Sequence, residues 1–126
     1  MDILRFEQDR RMSDVVVHGN TVYIGGQICT QREGIHAQAE DTLAIIERLL
    51  LLCGSDKSQI LSAMIYLSDM GNLPAFNEVW DAWITQGCAP ARACVGAQMA
   101  NQRCLIEIVV TAALENRVQV MGDTSA

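Results

Sequence analysis

The sequence predicts a single α+β domain in which one β-sheet carries two helices on one face. Three observations support this fold class: a pair of β-branched runs joined by a two-residue turn, two segments with helical spacing of apolar residues, and three further strand-like segments. The predicted order is β-β-α-β-α-β-β, and helices segregated to one face of a sheet are typical of the α+β class. Residues 1–126 are expected to form one domain, with a frayed tail after about residue 117.

The first two strands form a predicted hairpin. Residues 15–18 and 21–24 are rich in β-branched side chains, and Gly19-Asn20 between them is a typical two-residue hairpin turn. Pairing across this turn places four aliphatic residues on one face, which needs a core: Val15, Val17, Val22 and Ile24. Gly25-Gly26 then permits a bulge or a close backbone approach.

Two helices are predicted from the spacing of apolar residues. In residues 36–53 these recur at steps of three and four and form one stripe. The stripe consists of Ala39, Leu43, Ile46, Leu50 and Cys53. The second helix is expected to begin between Ser68 and Pro74, where capping residues and a proline suited to the first turn occur, and to end at Gly87. Its apolar positions are Leu73, Phe76, Trp80 and Trp83.

Residues 60–67, 91–98 and 104–114 are predicted as strands. In the first of these, four apolar residues alternate with more polar ones and indicate one buried face: Leu61, Ala63, Ile65 and Leu67. The last segment is apolar almost throughout and is therefore expected to be central in the sheet or buried on both faces. Two helices cover one face of such a sheet, so we expect oligomerisation to cover the other face and to create clefts.

Composition argues against several classes of function. The formal net charge is −6 and the basic residues are scattered, so neither nucleic acid nor an anionic membrane is expected as a partner. Five cysteines without a CxxC pair favour reduced thiols, and no cluster has the spacing of a metal site. The first residues lack an apolar signal segment and no apolar run is long enough for a bilayer, so a cytoplasmic location is expected.

Two charged residues interrupt apolar strands. Arg92 lies among small apolar neighbours and must find an anion or reach water, and Glu107 interrupts the last strand. If the last two strands pair so that paired residue numbers sum to 201, Cys94 faces Glu107 and Arg92 lies diagonally on the same face. A slip of one residue would separate them.

Simpler interpretations of these residues stay open. Arg92 and Glu107 can form a structural salt bridge, or the Arg92 side chain can extend its head group into solvent. Cys94 is a possible nucleophile, but no histidine stands nearby in sequence to generate a thiolate, so packing of a small apolar side chain is preferred.

The chain resembles the RidA/YjgF family, also called the RutC-like or L-PSP endoribonuclease family, over about residues 11–114. The resemblance is carried by GNTVYIGGQI at 19–28, FNEVW at 76–80 and APARACV at 89–95, followed by IEI at 106–108. The chain is most similar to a divergent branch that begins R-x-S-D-V-V, here residues 11–16, and has W-D-A-W in the second helix. The resemblance implies a chorismate-mutase-like fold and a homotrimer with clefts between subunits.

The resemblance also implies an activity, the hydrolysis of reactive enamine or imine intermediates such as 2-aminoacrylate or 2-iminobutanoate to a 2-oxo acid and ammonia. Arg92 would bind the substrate carboxylate through two parallel hydrogen bonds, and Glu107 would position the attacking water or take its proton. Further substrate contacts are implied at Gly25, Gly26, Cys94, Asn77 and the position of Met12. An imine is already electrophilic, so no cofactor or metal is expected.

The chain departs from the family pattern near its start. Active deaminases carry a tyrosine where Met12 stands, so a hydroxyl that would contact the ligand is missing. Gly25 replaces a serine, and Val109 replaces a second acidic residue. Three functions therefore remain: an imine deaminase or related hydrolase, a non-catalytic trimer that binds small carboxylates, and an endoribonuclease or translation-related protein, which the acidic charge disfavours.

Overall fold

The computed structural model describes residues 1–114, which form one six-stranded mixed sheet and two α-helices. The strands are β1 Ile3–Gln8, β2 Ser13–His18, β3 Thr21–Gln27, β4 Ile60–Leu67, β5 Ala91–Gly96 and β6 Ile106–Ala113. The helices are α1 Ile35–Leu52 and α2 Leu73–Trp83. The predicted α+β class is confirmed, whereas the predicted tail after residue 117 lies outside the described residues. No helix within residues 1–114 is long and apolar enough to cross a bilayer.

The strand order is β1-β2-β3-β6-β4-β5, with β4 and β5 parallel and the other neighbours antiparallel. The connection through α2 returns the chain parallel to β4, on its outer side, as βαβ units do. Strand β6 then inserts between β3 and β4. The register in which paired residue numbers sum to 201 therefore does not occur: Cys94 pairs with Ile65, and Glu107 pairs with Tyr66.

The predicted hairpin is confirmed. Val15 pairs with Ile24 and Val17 with Val22, and all four side chains are buried. The register between β3 and β6 shifts between Ile24 and Gln27, so the two glycines lie in an irregularity of the strand. Strand β1 was not predicted. It pairs with β2 at one edge of the sheet, and most of its residues are exposed, which weakens any alternating pattern.

The core lies between the sheet and the two helices. The stripe of α1 is buried except for Cys53, which is half-buried, and the alternate residues of β6 are buried. The predicted burial of Leu61 is wrong, because the register with β6 shifts between Ile60 and Ser62 and leaves Leu61 53% exposed. The predicted central position of the last strand is confirmed.

Helix α2 begins and ends slightly differently from the prediction. Asp69 accepts a hydrogen bond from the backbone N–H of Gly71 and so caps a short 3₁₀ turn that leads into the helix. The helix itself starts at Leu73, has Pro74 in its first turn, and ends at Trp83 rather than at Gly87. The aromatic stripe predicted for α2 includes Phe76 and Trp80, both buried.

The second face of the sheet, which we call the open face, is not covered by a helix of residues 1–114. Its residues are half-buried or exposed and mostly apolar at the centre of the sheet. They include Val16, Tyr23, Met64, Tyr66, Val95 and Val109. A mostly apolar face of this kind is typical of an interaction surface.

Candidate functional site

Arg92 stands on the helix-covered face of the edge strand β5. It pairs with the buried Ala63 of β4, and its guanidinium carbon lies 5.3 Å from the ring centroid of Trp80 and 5.8 Å from that of Phe76. These distances define cation–π contacts. Arg92 is nonetheless an exposed residue, so its donors are accessible at the edge of the sheet.

No anion within residues 1–114 neutralises Arg92. The guanidinium makes neither an ion pair nor a side-chain hydrogen bond there, although Arg32 and Arg48 each bind a carboxylate at 3.0 Å. The interpretation of Arg92 and Glu107 as a structural salt bridge is therefore wrong for the described chain. The guanidinium is available to a carboxylate that comes from elsewhere.

Glu107 lies on the open face of the central strand β6, beside Gly26 of β3. A Cβ atom at Gly26 would lie 1.9 Å from Glu107 Oε2, so the carboxyl group occupies the space that a side chain at position 26 would need. The residue is half-buried and has no hydrogen-bond or ion-pair partner within residues 1–114. Glycine at position 26 is thus what allows the carboxylate to stand here.

Gly25 precedes Gly26 in β3, and Met12 lies beside Gly25. A Cβ atom at Gly25 would be 4.0 Å from the terminal methyl carbon of Met12, and Met12 is 48% exposed. We call Met12, Gly25, Gly26 and Glu107 the glutamate half-site. Three of its four members are apolar or without a side chain, so the carboxyl of Glu107 is the one ionisable side chain among them.

Cys94 follows Arg92 on the same face and is half-buried against the core. Burial raises the pKa of the Cys94 thiol, and the nearby charge of Arg92 offsets part of that increase. The group is therefore a protonated thiol at neutral pH, which supports packing rather than nucleophilic attack. We call Arg92, Cys94, Phe76 and Trp80 the arginine half-site.

Asn77 belongs to α2, directly after Phe76. Its side-chain Oδ1 is buried and has no hydrogen-bond partner within residues 1–114. Buried side-chain acceptors normally have a partner, so an unpaired one marks a place where a ligand, water or another subunit can donate. Arg92 therefore donates no hydrogen bond to Asn77 Oδ1.

The two half-sites lie on opposite faces of the sheet, with β4 between their strands. The cluster of Arg92, Cys94 and Glu107 on one face, which the sequence permits, therefore does not form within a single chain. The strand order is the reason, because β5 and β6 are not neighbours. Within residues 1–114, no three His, Cys, Asp or Glu side chains are arranged to hold a metal ion.

A shallow depression of about 330 Å³ lies on the open face beside the edge of the sheet. Arg92 borders this depression through its place in β5, together with Met64, Ala93 and Val109. Because β5 is an edge strand, Arg92 borders the depression on the open face although its guanidinium lies on the helix-covered face. Sequence reasoning missed the aromatic contacts of Arg92, because Phe76 and Trp80 have the spacing expected of any buried helix face.

The sheet order and the two helices on one face define a chorismate-mutase-like α+β domain. The exposed arginine stands on its edge strand. The family described as Endoribonuclease L-PSP matches residues 4–114. The chain belongs to this family, which includes the RutC and YjgF proteins, and the predicted family and fold are both confirmed.

Sequence and structure comparisons agree. The chain is 40% identical to the RutC family protein YoaB of Escherichia coli K12 over 114 residues, which cover 90% of this chain and all of that protein. It is 37% identical to a RutC family protein of Haemophilus influenzae, over 89% of this chain and 98% of the relative. A crystal structure of a YjgF family member from Neisseria meningitidis superposes with a TM-score of 0.88 at 42% identity, covering 90% of this chain and 95% of that one.

Proposed function

We propose that this protein is a cytoplasmic hydrolase that converts enamine or imine acids, of the 2-aminoacrylate or 2-iminobutanoate type, to a 2-oxo acid and ammonia. Membership in the RutC/YjgF family supports a role in processing small molecules. The observation that carries the proposal is Arg92, an exposed guanidinium on an aromatic surface with no anion partner within residues 1–114. A planar guanidinium binds a carboxylate through two parallel hydrogen bonds.

The reaction needs the carboxylate fixed and a water molecule directed at the imine carbon. Arg92 binds the carboxylate and orients the neighbouring C=N bond. Water forms a bond to the carbon of the protonated imine, the π electrons move to nitrogen, and Glu107 accepts a proton from the water, which gives a neutral carbinolamine. Glu107 then returns this proton to the nitrogen. The C–N bond breaks as the C=O bond forms, and the hydroxyl proton passes back to Glu107 as ammonia leaves. A substrate that enters as the enamine is first protonated at its terminal carbon.

The active site requires two subunits. Arg92 and Glu107 lie on opposite faces of one sheet, so a single chain does not present both to one small ligand. If the open faces of three subunits pack together, Arg92 at the edge strand of one subunit can meet Glu107 on the open face of the next. We therefore propose a homotrimer whose clefts combine an arginine half-site with a glutamate half-site. The apolar open face supports such an assembly.

A second function, non-catalytic binding of small carboxylates, is favoured by Met12. This residue stands where deaminases carry a tyrosine, and its exposed thioether lies beside Gly25 without offering a hydroxyl. Arg92 would still bind an acid in that case. The two functions differ in whether Glu107 activates a water molecule.

The test generates 2-iminobutanoate with a dehydratase and follows the loss of the imine with and without this protein. We expect the wild type to accelerate the loss, and Arg92→Ala to abolish the acceleration and raise the Kd for 2-oxobutanoate roughly 100-fold, as expected when two charge-assisted hydrogen bonds are lost. Glu107→Gln should lower kcat and leave that Kd nearly unchanged. The matched control is Arg48→Ala, because Arg48 is also exposed but already binds Glu7.

Two results would redirect the proposal. Binding of 2-oxobutanoate in calorimetry without any acceleration of imine loss would support the non-catalytic function. Absence of both, with the trimer intact, would exclude both functions.

A further inference from the structure

Both tryptophans of the chain lie on α2, and each has a cation over its ring. The guanidinium carbon of Arg92 lies 5.3 Å from the ring centroid of Trp80, and the ammonium nitrogen of Lys57 lies 5.3 Å from that of Trp83. The two indole rings are 5.7 Å apart. The chain therefore contains two cation–aromatic contacts of the same distance on one helix.

The two contacts differ in how the cation is neutralised. Lys57 Nζ lies 4.0 Å from Glu47 Oε1, and the same oxygen accepts a hydrogen bond of 3.1 Å from Trp83 Nε1. Arg92 has no carboxylate partner within residues 1–114. The ammonium group of Lys57 thus has a carboxylate partner in the same chain, Glu47, whereas the guanidinium of Arg92 has no such partner within residues 1–114.

The ring beneath Arg92 is held firmly. Trp80 is 5% exposed, Phe76 is fully buried, and their ring centroids are 5.9 Å apart. A guanidinium that stacks on a ring uses its face, while its N–H donors lie in its plane. Stacking and two-pronged binding of a carboxylate are therefore compatible at the same time.

We infer that Trp80, supported by Phe76, is a positioning residue that orders the Arg92 guanidinium before an acid arrives. This inference rests on the proposed function, since it concerns the same carboxylate-binding arginine. A free arginine side chain loses considerable rotamer freedom when it binds, and ordering it in advance lowers that cost. A cation–π contact at an exposed site corresponds to roughly two- to fivefold in a binding constant.

The first test uses tryptophan emission. The chain has two tryptophans, so replacing one leaves the other as the single emitting tryptophan. The full-length Trp83→Phe protein is titrated with 2-oxobutanoate, and the emission of Trp80 is expected to change saturably with the Kd found by calorimetry. In the Trp80→Phe protein the emission comes from Trp83. It is expected to show no saturable change, only the gradual decrease caused by absorption of light by the ligand. Adding Arg92→Ala to Trp83→Phe should remove the saturable change.

The second test measures affinity and kinetics. Trp80→Met removes the aromatic face and is expected to raise the Kd for 2-oxobutanoate and the KM for the imine about fivefold, with a smaller change in kcat. Trp80→Phe keeps an aromatic ring and should restore most of the affinity. Trp83→Met, at the matched contact with Lys57, should leave Kd within about twofold of wild type, although both Met variants lose core packing.

The outcomes separate the inference from the proposed function. If the wild type fails to bind 2-oxobutanoate, the proposed function is wrong and the inference falls with it. If the wild type binds and Arg92→Ala does not, but Trp80→Met binds normally and Trp80 emission stays constant, the inference alone is wrong. If Trp80→Met does not fold, the Trp83→Phe protein tests the inference: a saturable change in Trp80 emission supports it, and constant emission contradicts it.

Discussion

The two faces of the sheet support their charged residue in different ways. On the helix-covered face, Arg92 rests on two aromatic rings that belong to the core of the same chain. On the open face, Glu107 stands beside Gly26, where a side chain is missing, and no group of residues 1–114 binds its carboxylate. The arginine half-site is thus built by folding, whereas the glutamate half-site depends on what covers the open face.

This difference implies that the two half-sites respond separately to local substitutions and together to loss of assembly. Changes beneath Arg92 should affect how tightly an acid binds. Changes beside Glu107 should affect how fast a bound imine reacts. In the proposed homotrimer, a change that separates the subunits should weaken binding of the acid and slow the reaction, because the two half-sites of one chain face opposite directions and do not contact the same ligand.

The largest effect is expected from Val109→Lys at the centre of the open face. Val109 is half-buried in the central strand β6, and removing an ammonium group from water between apolar surfaces costs several kcal/mol. We expect monomers that keep their secondary structure but lose at least about 100-fold in imine hydrolysis, as expected when a composite site is not assembled. Light scattering measures the oligomeric state, circular dichroism the secondary structure, and the loss of 2-iminobutanoate the activity.

The control for this prediction is Leu51→Lys. Leu51 is also apolar, but it lies on α1 and is 60% exposed. This variant should keep the assembly and the activity of the wild type. A Val109→Lys protein that remains trimeric would contradict the use of the open face as the interface.

A smaller effect, confined to the glutamate half-site, is expected from Gly26→Ala. The added Cβ would lie 1.9 Å from Glu107 Oε2, so the carboxyl must rotate away; this costs little stability because the atom belongs to the end of a flexible side chain. We expect kcat to fall roughly tenfold or more, as for a displaced general base, with the Kd for 2-oxobutanoate within about threefold. Gly25→Ala should have a weaker effect, since its Cβ would have no neighbour closer than 3.5 Å.

A double-substitution cycle tests the mechanism of this effect. Once Glu107→Ala has removed the carboxyl, Gly26→Ala should cause little further loss of kcat, because the two changes act on one group. Additive losses would show that position 26 acts through something other than Glu107.

The sequence predicts best what depends on neighbouring residues. The Gly19-Asn20 turn and the alternation on either side of it specify the hairpin register that the structure shows. Arg92 and Glu107 are recognisable as candidates for the same reason, because a charge within an apolar strand needs a partner wherever that strand lies.

The sequence fails where the answer depends on which strands become neighbours. Strands β5 and β6 follow each other along the chain, yet β4 separates them, so Cys94 does not face Glu107 as it would if the two strands paired. The register shift before Ser62 likewise turns Leu61 away from the core, and no turn residue marks it. The role of Trp80 is hidden for another reason, because a ring that supports a guanidinium has the same helical spacing as a ring that only fills the core.

The smallest effect concerns the reactivity of Cys94 beside Arg92. Burial raises the pKa of this thiol and the charge of Arg92 lowers it in part, so Arg92→Ala should raise the pKa further. Since the thiolate is the reactive form, alkylation of Cys94 by iodoacetamide at pH 8 should become roughly two- to threefold slower in Arg92→Ala, and saturating 2-oxobutanoate should slow it in the wild type. Cys53 is the control in peptide-resolved mass spectrometry, because burial also raises its pKa but Arg92 is not among the causes. A faster reaction of Cys94 in Arg92→Ala would mean that access past the guanidinium, and not its charge, governs this thiol.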